Sequence, residues 1–184
     1  MDELQVRPQA GEPGHAEVVL QSLELSDRTQ LVARRNNDLH FEWLGTGFYL
    51  WQDSPWRTGH WAQDRSGSDA AVVSARIDLD GCLDLLNPRW QAALHDADFE
   101  FALECFLENR PIPVNTDTGN HARDAATINF YCDRVGGEGH TVRSVRAVFE
   151  EGEPIFEASK IRSKSHVQIA VRDLTAIIEI EEIA

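Results

Sequence analysis

Four of the chain's five tryptophans fall in one short stretch, Trp43, Trp51, Trp56 and Trp61, inside "WLGTGFYLWQDSPWRTGHWA". Tyr49 lies among them, with Gln52, Asp53, Arg57 and His60 as polar neighbours. Such density suits two roles, a buried aromatic core or a wall on which a flat ligand stacks. Other chemistry is weakly supported. The seven histidines show no HExxH or other ligand spacing, and "IDLDGCLD" matches only the first residues of a calcium loop. A dedicated metal site is therefore not expected. "LGTGFY" lacks both the full GxGxxG and the Walker lysine, which excludes a Rossmann or P-loop phosphate cradle. Glu150 and Glu151 form an acidic pair of the kind glycosidases use, but 31 acidic side chains produce such pairs by chance.

With 17 basic side chains against those 31, the formal charge is −14. A field of that sign opposes a phosphate backbone and favours neutral or cationic partners. The cysteines, Cys82, Cys105 and Cys132, are odd in number and contain no CxxC pair. That argues against a disulfide scaffold and for a reducing, cytoplasmic setting. The first residues lack the basic and apolar regions of a secretory signal, and no run approaches a membrane span. A length of 184 residues fits one domain, 1–184.

These side chains need elements to position them. "LQVRP" reads as a first strand, and apolar residues at Val18, Val19, Leu23 and Leu25 predict a helix over 16–25. Asp53 or Ser54 can cap a helix that Pro55 opens, running to about Gln63. "AAVVSARIDL" alternates as a strand, residues 89–109 read as one or two helices, "RPIPVNTDTGN" as a loop and "HARDAATINFYCDRV" as a helix. The remainder is β-rich: "TVRSVRAVFEEGEPIF" holds a strand and a turn, "KSHVQIAVRD" a strand, and "AIIEIEEI" a further one. The class is α+β. Along 164–172, alternation places Lys164, His166, Gln168, Ala170 and Arg172 on one face, to line a cleft or to meet solvent.

The blocks "LGTGFYLW … WA", "IDLDGCLDL", "VRAVFEEGEPIF" and "IRSKSHVQIAVRD", in this order, resemble the ADP-ribosyltransferase superfamily, the branch containing poly(ADP-ribose) polymerases and diphtheria toxin. They are more similar still to a group of small bacterial proteins of that fold. The likeness covers roughly residues 36–90 and 120–173. It implies two small packed β-sheets flanked by helices around an NAD cleft, with NAD as substrate and no metal. By that resemblance Gly45 and Gly47 form the cofactor-binding turn, Tyr49 packs on the nicotinamide, and Trp61, or His60 beside it, closes the other side of the ring. The late-strand position that usually carries Glu falls on Gln168, which with His166 would fix the ribose; Gln can hold a hydroxyl but cannot ionise. A proton would then pass to Glu150, to Glu151 or to the substrate itself, and Glu151 is the candidate taken forward. The His-Gly expected on the first strand is absent: counting back from the first helix gives Gln9-Ala10, and matching by residue type gives His15. Arg146, Arg162 and Lys164 are candidates for the pyrophosphate by strand position.

The implied activity is displacement of nicotinamide from NAD, as a mono-ADP-ribosyltransferase acting on an unknown acceptor or as an NAD glycohydrolase. Small bacterial proteins of this kind include toxins and defence effectors, with a cognate antitoxin as a partner. Two other readings compete. One is an inactive module that binds NAD, ADP-ribose or a protein; the other is an acidic inhibitor or antitoxin covering a basic partner surface.

Overall fold

The structure, a computed structural model, describes residues 15–20, 23–24, 43–66, 70–116 and 121–183. Its strands are β1 (His15–Leu20), β2 (Leu23–Glu24), β3 (Phe48–Gln52), β4 (Ala70–Asp78), β5 (Cys82–Asp84), β6 (Ser144–Phe149), β7 (His166–Val171) and β8 (Ile177–Ile183). Its helices are α1 (Pro55–Ser66), α2 (Pro88–Leu107) and α3 (Ala122–Gly137). The α+β class is as expected, and the stretch read as one or two helices over 89–109 holds the single helix α2.

The first element departs from expectation. Residues 15–20 form a strand, not a helix, because both edges are taken: β1 pairs antiparallel with β3 and with β4. Adjacent β-branched Val18 and Val19 suit that pleat better than a helix. On β4, Val19 faces Ser74 while Leu23 faces Ala71, so the pairing slips by one residue and β2 continues β1 past a bulge-like offset. The expected strand "LQVRP", and Gln9 with it, lies outside the described residues.

Hydrogen bonding runs β2-β4-β1-β3-β7-β6-β5, with β8 on β4. The two sheets of the expectation are thus two halves of one path, joined where β1 meets β3. Among the described strands only β5 and β6 pair in parallel, and α2 and α3 make the crossover between them. Strand β7 lies between β3 and β6 and was made last of the three.

Cross-strand partners share a face, which sorts the side chains into two sets. Leu50, Val73, Ala75, Ile77, Ile169 and Val171 build one apolar cluster, to which both halves of the path contribute. On the opposite face Leu83, Val145 and Ala170 pack with Leu44 and with Ile128 and Cys132 of α3. Helix α1 packs on β4, β1 and β3 instead. Arg57 of α1 lies over the Trp51 ring, on the same face as Ala170 and α3. The strip of β3 and β7 between α1 and α3 is where the candidate residues gather.

Candidate functional site

The Gly-x-Gly turn has clear packing reasons for its composition. Gly45 has φ +75, and a Cβ there would fall 2.5 Å from Asn129 Oδ1 of α3. A Cβ on Gly47 would fall 3.0 Å from that of Ala170 on β7. Asn129 Oδ1 accepts hydrogen bonds from Thr46 N at 2.9 Å and from Arg172 Nη1 at 2.7 Å, and Arg172 also donates to Thr46 O. The turn is therefore clasped by α3 and by the residue just past β7. Tyr49 closes it from inside: its hydroxyl donates to Gly45 O at 2.7 Å and accepts from Leu44 N at 2.8 Å. What Tyr49 can offer a ligand is its ring.

At the other end of β3, Asp53 adopts a left-handed φ of 50 and Ser54 precedes Pro55, the first residue of α1. Ser54 O accepts the first helical bond, from Thr58 N at 3.1 Å. Helix α1 places Arg57 against the end of the sheet. It carries Trp61 as well, whose side chain lies outside the described set. His60 is half-buried, with its ring 5.5 Å from that of the exposed Trp56.

Gln168 is the centre of the strip. Its cross-strand partners are Trp51 on β3 and Ala147 on β6, a large aromatic on one side and a methyl on the other. Tyr49 and Ala170 form the next row along the same face, and His166 with Phe149 the row before. Among the described residues the Gln168 side chain makes no hydrogen bond, so its amide has both donor and acceptor to give. Trp51 is buried at 3% exposure, and the Phe149 ring continues the aromatic lining to Trp43, centroids 4.3 Å apart. Trp43 in turn meets His121 at the start of α3, at 4.2 Å.

The His166 side chain is 2% exposed, its ring centroid 6.3 Å from Trp51 and 5.9 Å from Phe149. Its Nδ1 donates to Lys164 O at 2.7 Å. Burial is the main cause that lowers its pKa, since a buried imidazolium loses hydration; the Lys164 carbonyl and Glu151 act in the opposite direction. Glu151, expected as a proton acceptor, is brought to this cluster: Oε2 lies 3.8 Å from His166 Nδ1. Both its oxygens, however, accept from Arg57 Nη2, at 2.7 and 2.8 Å. Glu150 carries no side-chain hydrogen bond among the described residues.

The cationic candidates divide. Arg146 pairs with Ile169 and so lies on the opposite face of the sheet, where it donates to Gln52 Oε1 at 2.7 Å and to Asp84 Oδ2 at 3.0 Å. It is not part of the strip. Arg162 and Lys164 are on the excursion between β6 and β7, which folds back on itself through Pro154 and Arg162. Neither makes an ion pair among the described residues, so both remain available to an anion. His15 opens β1 opposite Asp78, and its side chain is not described.

Of the site residues expected from the sequence, the fold gathers Tyr49, His166, Gln168 and Glu151 here, and it adds Trp51 and Arg57, read there only as parts of the aromatic stretch, and Phe149, given no role. Trp51 was within reach of alternation, being two residues from Tyr49. Arg57 and Asn129 carried no signal, since their roles depend on which elements the fold brings beside them. Among the described residues no three His, Cys, Asp or Glu side chains group as metal ligands, and no helix is long and apolar enough to cross a membrane. No protein-family model, curated protein sequence or solved structure matches the chain.

Proposed function

We propose that the strip between α1 and α3 binds the nicotinamide riboside end of NAD, in an ADP-ribosyltransferase-like protein that transfers ADP-ribose to an acceptor. One observation carries this reading. The uncommitted Gln168 amide lies between Trp51 and Ala147 with the Tyr49 ring in the adjacent row, so a polar group able to hold ribose hydroxyls is set among aromatic faces. Planar rings favour stacking at such faces, and a site exposing few polar groups can orient what it binds. Arg162 and Lys164, which make no ion pair among the described residues, are the cations assigned to the pyrophosphate, because Arg146 faces the other way.

A second reading, binding without turnover, is favoured by two specific observations. Gln168 cannot ionise, and the Glu151 oxygens are already engaged by Arg57.

Calorimetric titration with NAD, run beside an assay for free nicotinamide, tests both. Wild type is expected to bind NAD, and Gln168→Ala to bind about tenfold more weakly, the loss of roughly one hydrogen bond. Nicotinamide release then selects the transferase and its absence the binding module. Wild type that does not bind NAD, or Gln168→Ala that binds it equally well, refutes the assignment of the strip.

A further inference from the structure

The His166 ring has a defined tautomer. A carbonyl oxygen can only accept, so the hydrogen bond to Lys164 O places the proton on Nδ1 and leaves a lone pair on Nε2. That Nε2 is buried and has no hydrogen-bond partner among the described residues. Buried polar atoms in folded proteins are nearly always paired, so this open acceptor is where a water or a ligand hydroxyl fits. A second nitrogen of the cluster is in the same condition: Arg57 Nε, a donor, on a side chain 8% exposed. Both side chains meet the Glu151 carboxylate, Arg57 at 2.7 Å and His166 at 3.8 Å. An open, buried acceptor matches a hydroxyl group, whose proton points at it.

We propose that His166 Nε2 receives the attacking hydroxyl, from water or from an acceptor alcohol, and accepts its proton. The inference rests on the ADP-ribosyl reading above. The bond between the ribose anomeric carbon and the nicotinamide nitrogen breaks, and its electron pair leaves with nicotinamide. The hydroxyl oxygen bonds to that carbon, and its proton passes to Nε2. The imidazolium formed keeps its Nδ1–H on Lys164 O and faces Glu151, whose negative charge offsets the new positive one. His166 thereby takes the part that Gln168 has no chemistry for and that Glu151, turned onto Arg57, does not fill. The charged groups facing it are Glu151 from the β6–β7 connection and Arg57 from α1; β3 and β6 present the Trp51 and Phe149 rings. Burial keeps the ring neutral near neutral pH, the state a proton acceptor requires.

The test is nicotinamide release from NAD between about pH 5 and pH 8, with NAD affinity measured in parallel, for wild type and His166→Asn. Asn retains an N–H for Lys164 O and removes the acceptor. Wild type is expected to lose activity on the acid side, below the ordinary histidine range. His166→Asn is expected to bind NAD within about threefold of wild type, release nicotinamide at least about a hundredfold more slowly, and show no acid limb. A variant that keeps the wild-type rate and limb overturns the proposal, as does a wild type that binds NAD but never releases nicotinamide. Should His166→Asn not fold, the wild-type profile decides, and a rate flat through the acid range overturns it. Wild type that does not bind NAD refutes instead the reading on which the inference stands.

Discussion

Gly45→Ala should be among the most damaging single-methyl additions in the described chain. Two costs add. A non-glycine residue at φ +75 costs about 1–2 kcal/mol. The new Cβ would also lie 2.5 Å from Asn129 Oδ1, and pushing Asn129 away breaks its bonds from Thr46 N and Arg172 Nη1. One neutral and one charge-assisted hydrogen bond contribute together about 2–4 kcal/mol. The sum, about 3–6 kcal/mol, is a large share of the roughly 5–15 kcal/mol that holds a typical domain folded. Urea unfolding followed by tryptophan fluorescence measures it, with Asn129→Ala and the double variant completing a cycle. Asn129→Ala alone should cost the two hydrogen bonds, and in that background Gly45→Ala should cost the backbone term and the small adjustment that the Ala125 carbonyl, 3.2 Å from the new Cβ, requires. The expected coupling is therefore about 2–4 kcal/mol. A Gly45→Ala cost below about 1 kcal/mol, or one unchanged when Asn129 is absent, would refute the argument that the clasp selects glycine.

Tyr49→Phe removes the hydroxyl that pairs with Leu44 N, on a residue 2% exposed, and should destabilise the fold by about 1–3 kcal/mol in the same urea assay. Glu151→Gln leaves the buried Arg57 guanidinium without its carboxylate. The expected cost is about 3 kcal/mol, at the low end for a stranded charge because Glu151 is 34% exposed, and a urea midpoint equal to wild type would contradict the pairing. His166 has a folded pKa below its unfolded value of about 6.5, so between the two the unfolded chain binds more protons and stability rises with pH. The urea midpoint should fall as pH drops below about 6.5, and His166→Asn should lack that part of the fall, while Asp98 and Asp173 act only in the lower carboxylate range. Burial pushes the Cys132 thiol up to about 11, so alkylation at about pH 8 should reach the half-exposed Cys82 first and Cys132 only on unfolding, as peptide mapping would show.

Much of the element order was legible. Ser54 and Pro55 mark the start of α1, and alternation marks β4 and β7, because turn chemistry and period-two burial are local properties. The face of His166, Gln168, Ala170 and Arg172 was read from that alternation, but not its surroundings. It is buried against α3 at Ala170 and half-buried at Gln168, a distinction set by helices far away in sequence. Residues 15–20 were misread because the spacing of Val18, Val19 and Leu23 fits helix and strand alike, and only pairing with β3 and β4 decides. Arg146 was misplaced for a related reason. It is on a strand of the expected kind, but the register with Ile169 turns it to the far side. Neither Arg57 nor Asn129 could be found without knowing which loop each would meet.

The position of β7 also governs how the protein comes into being. Strand β3 is joined to β6 only through residues 166–171, more than a hundred residues further along than β3. A ribosome therefore finishes β3, α1, β4, β5, α2, α3 and β6 before the strand that joins β3 to β6 exists. Until it emerges, one edge each of β3 and β6 is unpaired, and Leu50 and Val145, both 0% exposed in the finished fold, lack a neighbour. Closing a gap of that length makes acquisition slow compared with helical proteins of this size and exposes the nascent chain to self-association. The same insertion that joins β3 to β6 also sets His166 and Gln168 in place, so the site forms only when that part of the sheet does.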